Sequence, residues 1–208
     1  MNILITAGPT IEPIDPVRFI SNRSTGVMGF AIAEAAGKRG HKVILISGPT
    51  RLAPPRGVKF FPVETARQMQ EQVLKNFPKA GVVIMAAAVS DYRPAVVAAQ
   101  KIKKGPPAIN LKLVKNPDIL EALARQKKDK IVVGFSLETE NLYKGTLAKL
   151  KKKNLDLIVA NQLTKRQDIF GNKKMNVLIL DKKGNKKQLW NVEKTKVAKE
   201  IILRVENY

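Results

Sequence analysis

The sequence predicts a Rossmann-like α/β fold: a doubly wound, mainly parallel sheet with a long flap loop and a C-terminal β-hairpin plus helix. Two observations lead to this prediction. Short apolar runs alternate with helical patterns along most of the 208 residues, which is typical of strand–helix–strand units with right-handed crossovers. The run at residues 82–88 is apolar throughout, as expected for a strand at the centre of a parallel sheet.

The first half of the chain is predicted to hold two helices between buried strands. The first helix is expected over residues 26–39, because Met28 and Ile32 share a face and Gly40 provides a stop. Thr65 is expected to cap a second helix that runs to about Phe77, with apolar residues at every fourth position. The strands are expected at residues 2–7, 42–47, 58–63 and 82–88.

The second half begins with an irregular stretch at residues 90–107, and a loop of that length is usually functional or disordered. Helices are expected from residues 116–118, with Pro117 in the first turn, and over residues 142–153 and 195–205. The other expected elements are strands at 109–114, 131–136 and 155–160, a polar loop at 161–172, and a hairpin formed by 175–180 and 187–190. We predict one domain over residues 1–208, with the flap at about 90–114 and the hairpin and closing helix at about 173–208.

Composition narrows the possible classes of function. The chain has no cysteine and a single histidine, His41, which excludes a disulfide, a cysteine nucleophile and a thiolate or multi-histidine metal site. No apolar run approaches the roughly 18–20 residues of a membrane span, and the N-terminus has no leader pattern. We therefore expect a cytoplasmic protein that does not bind membranes.

The net charge of +21 attracts anions. The lysines are scattered in short runs rather than arranged in one stripe, and an ordinary lysine-rich surface explains many of them. With three tyrosines and one tryptophan, the sequence shows no stacking platform for single-stranded nucleic acid. The charge alone is compatible with phosphorylated small molecules, nucleic acid or acidic lipids as partners. We expect no nucleic-acid partner, and nucleic-acid binding stays open as an alternative.

Ligands of doubly wound folds bind outside the carboxyl ends of the strands. The candidate positions are those that follow predicted strands, at residues 8–29, 87–93, 135–138 and 161. The densest is DPVRFISNRSTGVMG at residues 15–29, where polar side chains precede a helix whose free N–H groups and dipole favour an anion. Within it, Arg18 offers a bidentate fork to a carboxylate or phosphate, and Asn22 can both donate and accept hydrogen bonds.

A nicotinamide dinucleotide site is disfavoured on chemical grounds. The G-x-G-x-x-G motif that would follow the first strand is absent, and Pro9 removes a backbone donor that a pyrophosphate would need. Because the fold class suits such a cofactor, an NAD(P)-binding protein or oxidoreductase stays open as a second alternative.

Three further segments have the composition of a nucleotide site. Residues 86–88 are small enough for a flat ring to lie against the backbone, and Asp91 could hold a divalent cation on a polyphosphate. The KIKK run at residues 101–104 could close over a triphosphate. Lys149 and Lys153 share a helix face and could hold an anion between them. Close packing, a turn cap and solvated lysines are the ordinary explanations of the same features.

Seven segments, in this order and spacing, resemble the phosphopantothenate–cysteine ligase family: ITAGPT, DPVRFISNRSTGVMGFAIAEAA, AAVSDYRP, KIKK, VKNPDIL, VGFSLET and NLDLIVAN. The resemblance covers nearly the whole chain, and SNRSTG and AAVSDYRP are its most specific parts. In many bacteria this ligase is the C-terminal half of a bifunctional protein whose other half is a flavin-dependent decarboxylase. The resemblance therefore implies a chain fused to, or acting with, phosphopantothenoylcysteine decarboxylase, with FMN in that domain and not in this chain.

The resemblance implies a two-step ligation with CTP and Mg²⁺. The carboxylate of 4′-phosphopantothenate attacks the α-phosphate of CTP, which gives an acyl-cytidylate and pyrophosphate. The amine of L-cysteine then displaces CMP to give 4′-phosphopantothenoylcysteine. Because the chain has no cysteine, a protein thioester cannot activate the acid, whereas a nucleotidyl anhydride needs only positioning and charge neutralisation.

The resemblance also implies roles for individual residues. Lys101 matches the lysine needed to form the acyl-nucleotide, Asn22 the asparagine that converts it to product, and Arg18 a second residue needed for that conversion. Asp91 would act through Mg²⁺, and the backbone of residues 85–87 would read the cytosine. The implied nucleotide-contacting positions are Met85, Ala86, Ala87, Asp91, Lys101, Val114, Lys115, Asn116, Pro117, Phe135, Lys149 and Lys153. Ser24 and Gly26 are further candidates for binding a phosphate or the intermediate.

Three points bear on these implied roles. Gln100 stands where an acidic residue precedes KIKK in the family, and Leu137 where a small residue is common. An unmodified Rossmann layout sends the helix with Lys149 and Lys153 away from the strand ends, so either that helix is displaced or the two contacts are peripheral. Family members are homodimers with the lysine-bearing flap close to the neighbouring subunit, which predicts a homodimer here with residues 109–114 near the interface.

Overall fold

The computed structural model describes residues 1–105, 107–138, 142–162 and 174–208. A single 3₁₀ turn at Phe77–Lys79 follows the second helix. In chain order the other elements are β1 (Asn2–Ala7), β2 (Ile11–Pro13), β3 (Phe19–Ser21), α1 (Val27–Lys38), β4 (Lys42–Ser47), β5 (Lys59–Pro62), α2 (Ala66–Asn76), β6 (Val82–Met85), β7 (Tyr92–Pro94), β8 (Leu113–Lys115), α3 (Ile119–Ala124), β9 (Ile131–Glu138), α4 (Leu142–Lys152), β10 (Leu157–Gln162), β11 (Met175–Asp181), β12 (Lys186–Val192) and α5 (Lys194–Glu206).

Within the described ranges, eight strands form one sheet in the order β5–β4–β1–β6–β9–β10–β11–β12. Neighbours from β5 to β10 are parallel, and β11 and β12 add two antiparallel pairings at the other end. Strands β2 and β3 form a separate antiparallel pair, as do β7 and β8. The predicted α/β class, the mainly parallel sheet and the C-terminal hairpin are confirmed, and the hairpin extends the main sheet through β10.

Two apolar layers cover the sheet. Alternation along β1 directs Ile3 and Ile5 to the face covered by α1 and α5, and Leu4 to the face covered by α2 and α3. On the second face, Leu150 of α4 packs with Val132. None of the described helices is long and apolar enough to cross a membrane.

Local sequence explains where the two long N-terminal helices begin. Thr65 Oγ1 accepts from Gln68 N–H at 3.2 Å, and Gln68 Oε1 accepts from Thr65 N–H at 3.1 Å, so a capping box starts α2 as predicted. Helix α1 follows Gly26, whose φ of +80° is left-handed, and a Cβ there would lie 2.7 Å from Thr50 Cγ2. The helix start therefore needs glycine both for its conformation and for space.

Several predicted boundaries were wrong in detail. The strand expected at residues 109–114 is reduced to β8, because only its last residues pair with β7. Pro117 precedes α3 instead of lying in its first turn, because Asp118 is the N-cap and accepts from Glu121 N–H at 3.0 Å. The apolar run at residues 82–88 is a strand only to Met85.

The last third of the chain differs from prediction mainly at its loop. Residues 161 and 162, expected in a polar loop, extend β10, and residues 163–173 lie outside the described part of the chain. The closing helix begins at Lys194 with Glu193 as N-cap, one residue before the predicted start.

Candidate functional site

The segment that follows β6 is fastened to the segment that follows β1. Thr10 N–H donates to Ala88 O at 3.1 Å, and its buried hydroxyl accepts from Ser90 N–H at 2.9 Å. The buried Thr6 hydroxyl accepts from Ala87 N–H at 3.2 Å. These bonds fix the main chain beyond the central strand, and they leave the Ala87 N–H already paired.

Asn22 reaches this fixed segment from the loop after β3. Its side-chain amide donates to Ala88 O at 3.0 Å, while the residue itself stays exposed. Ser24 Oγ accepts from Gly26 N–H at 3.3 Å at the entry to α1. The predicted residues Asn22, Ser24 and Gly26 thus lie together between the start of α1 and the end of β6.

A cavity of about 260 Å³ opens beside the start of α1, and we call it the helix cavity. It lies at the carboxyl ends of β6, β9 and β10, on the face of the sheet that α1 and α5 cover. Its lining includes Ser24, Gly26, Met28, Ala86, Ala87, Ala88, Phe135, Ser136, Asn161 and Lys194.

The polar groups of the helix cavity suit an anion. Ser136 Oγ and Asn161 Oδ1 are the two buried side-chain atoms without a hydrogen-bond partner among the described residues. Asn161 and Lys194 are each only 9% exposed. The first turn of α1 has no side-chain cap, so its N–H groups and helix dipole favour negative charge in the cavity. The Ser136 hydroxyl, the Asn161 NH₂, the Lys194 ammonium and the helix start can donate to a phosphate, whereas Asn161 Oδ1 is an acceptor and needs an N–H or O–H of a ligand.

A second cavity of about 680 Å³, the strand cavity, lies on the opposite face of the sheet beside α3. Ala87 and Phe135 line both cavities, so the two spaces adjoin at the ends of β6 and β9. The lining of the strand cavity includes Met85, Ala87, Asp91, Tyr92, Lys115, Asn116, Pro117, Asp118, Phe135 and Lys153. Most of the residues that the sequence predicts for nucleotide binding are therefore brought together here.

Hydrogen bonds hold the wall that carries Asp91. Asn116 N–H donates to Asp91 O at 2.8 Å, and the Asn116 amide donates to Ser90 O at 2.9 Å. Arg93 donates to Lys115 O at 2.5 Å from the neighbouring strand. The Asp91 carboxylate stays exposed in the cavity, and no group of three acidic or histidine side chains in the described ranges could hold a metal by itself. Asp91 could therefore supply one carboxylate ligand to a cation whose other ligands are mostly phosphate oxygens.

Lys153 and Lys149 occupy different situations. Lys153 lines the strand cavity, where its ammonium pairs with the Asp118 carboxylate. Burial alone would raise the pKa of Asp118, but hydrogen bonds from Lys153 and from Glu121 N–H outweigh burial and lower it. Lys149 is exposed on α4 and lines neither cavity. The predicted pair is therefore divided, and Lys153 alone of the two reaches the cavity wall.

Besides Lys149, three predicted nucleotide positions lie outside the strand cavity: Ala86, Val114 and Lys101. Ala86 lines the helix cavity instead. Val114 pairs with Arg93 in the small sheet and lines neither cavity.

Arg18 and Lys101 lie next to each other, outside both cavities of their own chain. The Arg18 guanidinium donates to Asp15 Oδ2 at 2.5 and 2.9 Å and to Ile102 O at 2.8 Å. Lys101, the residue before Ile102, is exposed. Hydrogen bonds from Arg18 hold the pKa of the buried Asp15 carboxyl well below its usual range, against the opposing effect of burial.

Sequence reasoning missed three residues near these sites. Asp15 stands at the start of the motif singled out above, but its contact with residue 102 has no local signal. Asp118 was assigned only to a helix start. Lys194 carries no signal at all, because a lysine at a helix start is ordinarily exposed.

The comparisons with known proteins agree with the fold. Residues 1–208 match the model of the DNA/pantothenate metabolism flavoprotein C-terminal domain. The chain belongs to this family. A relative from Bacillus subtilis, named coenzyme A biosynthesis bifunctional protein CoaBC, is 44% identical over 205 residues, which cover 98% of this chain and 50% of that protein. The protein of the same name from Borreliella burgdorferi is 46% identical over 205 residues, covering 96% of this chain and 51% of that protein.

Family members of known structure share this architecture. The crystal structure of the C-terminal domain of a coenzyme A biosynthesis bifunctional protein CoaBC superimposes with a TM-score of 0.85 at 41% identity, covering 99% of this chain and 94% of that one. The chain spans about half the length of the curated relatives it matches.

Proposed function

We propose that the chain is a phosphopantothenate–cysteine ligase domain of coenzyme A biosynthesis. It would join 4′-phosphopantothenate to L-cysteine through an acyl-cytidylate formed from CTP. The observation that supports this proposal best is the pair of adjoining cavities at the carboxyl ends of β6 and β9. One is lined by the residues predicted for a nucleotide, and the other has the donor set of a phosphate site.

In this proposal the strand cavity takes CTP. The cytosine would lie against the small side chains beyond β6, and main-chain groups other than the paired Ala87 N–H would read it. Lys115 and Lys153 would neutralise phosphate charge. Mg²⁺ would enter with the triphosphate and take one ligand from Asp91, and when bound it would neutralise phosphate charge.

The helix cavity would take the 4′-phosphate of phosphopantothenate. Asn161, Ser136 and Lys194 would donate to the phosphate oxygens together with the start of α1. The pantothenate carboxylate would then point towards Ala87, where the two cavities meet, and Asn22 is bonded to the carbonyl of the next residue, Ala88. This arrangement brings the attacking oxygen and the α-phosphate to one place.

The first step forms a bond between the carboxylate oxygen and the α-phosphorus and breaks the bond to the β-phosphate, so pyrophosphate leaves. Lys101 would stabilise the negative charge that develops at the α-phosphate. In the second step the cysteine amine bonds to the acyl carbon, and CMP leaves with the bridging oxygen. Asn22 and Arg18 would position the intermediate for that attack.

A homodimer is part of the proposal. Arg18 and Lys101 lie outside both cavities of their own chain, so a second copy could bring them to the substrates. Apolar side chains on the same stretches of chain are exposed, including Val96 at 81%, Phe19 at 55% and Ile109 at 54%. An exposed apolar region of this kind is typical of a protein interface. Because the relatives are about twice as long, fusion to or action beside phosphopantothenoylcysteine decarboxylase, which would carry the FMN, is proposed as well.

A half-reaction assay tests the proposal. Pyrophosphate release from CTP should require 4′-phosphopantothenate, and CMP should appear only after L-cysteine is added. ATP, NADPH and an oligonucleotide, examined by thermal shift, serve as comparison ligands for the alternative functions. Pyrophosphate release that does not depend on 4′-phosphopantothenate, or no binding of either substrate, would refute the ligase assignment.

A further inference from the structure

The Asp15 carboxylate joins two loops that are distant in sequence. Its Oδ1 accepts from the N–H groups of Val17 and Arg18, each at 2.9 Å, which closes the turn after β2. Its Oδ2 accepts from the Arg18 side chain and from Ile102 N–H at 3.1 Å. The side chain of Asp15 is fully buried, and its charge is met by these N–H donors instead of by water.

Ile102 is held at both of its main-chain polar groups. Its N–H donates to Asp15, and its carbonyl accepts from the Arg18 guanidinium at 2.8 Å. The same stretch has a second anchor, because Ala98 N–H donates to Ile14 O at 2.9 Å. Lys101 therefore lies between two fixed points, and its backbone is set while its side chain reaches into solvent.

We infer that Asp15 is a positioning residue, which couples the loop that carries Arg18 to the segment that carries Lys101, and that both steps of the ligation need this coupling. The inference rests on the proposed function, because Lys101 is assigned to the first step and Arg18 to the second. Through one buried carboxylate, the residues of both steps are presented as a single unit.

Only an ionised carboxylate satisfies this set of donors. Each oxygen of Asp15 receives more than one N–H, and an amide could offer an acceptor on one side only. In the Asp15→Asn variant the amide would keep its oxygen on the turn and direct its NH₂ towards Arg18 and Ile102 N–H, where donor would face donor. The substitution thus opens the link between the loops and spares the turn.

The chain offers a matched control in Asp181. This buried carboxylate also closes a turn, accepting from Lys183 N–H and Asn185 N–H at 2.9 Å each, but it belongs to the last residue of β11, near the edge of the sheet that β12 forms. Asp181→Asn removes a comparable buried charge without touching either cavity or the Arg18 loop.

The test compares the two variants with the unaltered protein by two independent readouts. Hydrogen–deuterium exchange should show the amides near residue 102 exchanging about tenfold faster or more in Asp15→Asn, and unchanged in Asp181→Asn. Pyrophosphate release and CMP release should each fall by roughly tenfold or more in Asp15→Asn, with the KM for CTP little altered, because the strand cavity is untouched. Asp181→Asn should keep both rates.

Each outcome decides the inference. Protected amides near residue 102 in Asp15→Asn, or open amides with both half-reactions at full rate, would overturn it. If the unaltered protein ligates nothing, the proposed function fails, and the exchange data still show whether Asp15 joins the two loops. If Asp15→Asn does not fold, Ile102→Pro provides a second test, because proline lacks the N–H that Ile102 donates to Asp15 Oδ2. That variant should slow pyrophosphate release, and a full rate would count against the coupling.

Discussion

The two ends of strand β10 place a buried polar side chain in opposite situations. Asp156, just before the strand, is 2% exposed and accepts from Val132 N–H at 2.8 Å. It also pairs with Lys127 at 2.7 Å and with Lys182 at 2.6 Å. Asn161, near the other end, is 9% exposed and has a side-chain oxygen without a partner among the described residues.

Under the proposed function, the difference separates residues that hold the fold together from residues that would bind a ligand. A buried polar group that lacks a partner costs about 1–3 kcal/mol, so a fold keeps one where something else will bind it. At the amino ends of the strands the charges of Asp156, Lys127 and Lys182 are satisfied within the chain. At the carboxyl ends the unpartnered Asn161 and Ser136 line a cavity. Under the proposed function the same sheet thus has a stabilising end, at the amino ends of the strands, and a binding end, at their carboxyl ends.

The largest effect should come from Lys101→Gln, which removes the cation proposed for the first step. Loss of a cation that stabilises charge at the α-phosphate should reduce pyrophosphate release by roughly 100-fold or more. Because Lys101 is exposed, the midpoint of thermal unfolding should not change. Half-reaction kinetics measure the first result, and an unaltered rate of pyrophosphate release would remove Lys101 from the first step.

Asn22→Asp should stop the reaction one step later. A carboxylate there could no longer donate to Ala88 O and would repel the anionic intermediate, so the acyl-cytidylate should accumulate. Rapid quenching followed by chromatography of the nucleotide products measures the intermediate. Normal turnover with L-cysteine in this variant would show that Asn22 is not needed for the conversion.

Asp156→Asn tests the stabilising end. It leaves Lys127 buried beside a neutral side chain, and breaking a buried ion pair typically costs about 3–5 kcal/mol. Urea unfolding should show a loss of that size, whereas the half-reaction rates per folded molecule should stay unchanged. A variant that unfolds normally but loses activity would contradict the division between the two ends.

The ionisation of Asp156 should also make the free energy of unfolding depend on pH. Burial by itself would raise the pKa of Asp156, but hydrogen bonds from Lys127 and Lys182 outweigh it and lower the pKa below its ordinary 3.8. Because the folded pKa is the lower one, this stabilisation is complete above the unfolded value and is lost as pH falls below 3.8. Below pH 3.8 the free energy of unfolding should therefore fall less steeply with decreasing pH in Asp156→Asn than in the unaltered protein, as measured by urea unfolding at a series of pH values.

Asn161→Ala should give the opposite pattern. In the unliganded chain the oxygen of the Asn161 amide has no hydrogen-bond partner among the described residues, so the free energy of unfolding should change by less than about 1 kcal/mol. Affinity for 4′-phosphopantothenate should fall roughly tenfold, which corresponds to the loss of one hydrogen bond from the Asn161 NH₂ to the charged phosphate. Calorimetric titration measures the affinity, and a large loss of stability without a loss of affinity would contradict the account.

The smallest effect separates Lys149 of α4 from Lys153, which directly follows that helix. Lys153→Met should raise the KM for CTP about fivefold, because a partly exposed charge contributes roughly 1 kcal/mol. Lys149→Met should change it less than about twofold, since Lys149 lines neither cavity. Equal effects of the two substitutions would show that α4 contacts the nucleotide in another way.

Local signals explain which parts of the fold were predictable. Strands β1 and β4 match their predicted residues because buried parallel strands appear as short apolar runs. Helix α2 begins where its capping box requires. The strand expected at residues 109–114 was overpredicted, because alternation does not reveal that β7 is only three residues long. Its partner is fixed by contacts that no local pattern encodes.

The candidate site shows the same limit. Positions that follow strands could be assigned from fold class alone, and Ser136 and Asn161 are among them. Which residues share a cavity could not be assigned, because that depends on side chains that meet across the fold. The pairing of Lys153 with Asp118 and the contact of Asp15 with Ile102 both join residues far apart in sequence. Neither contact could be predicted from a periodicity or a motif in the sequence.

A crossed binding measurement tests the central claim, that the two cavities take different substrates. CTP with Mg²⁺ and 4′-phosphopantothenate would each be titrated calorimetrically into Lys153→Met and Asn161→Ala. The account predicts that Lys153→Met lowers the affinity for CTP and leaves the affinity for 4′-phosphopantothenate unchanged, and that Asn161→Ala has the reverse effect. If both substitutions lower the affinity for the same ligand, or if neither lowers the affinity for either ligand, the assignment of substrates to cavities is contradicted.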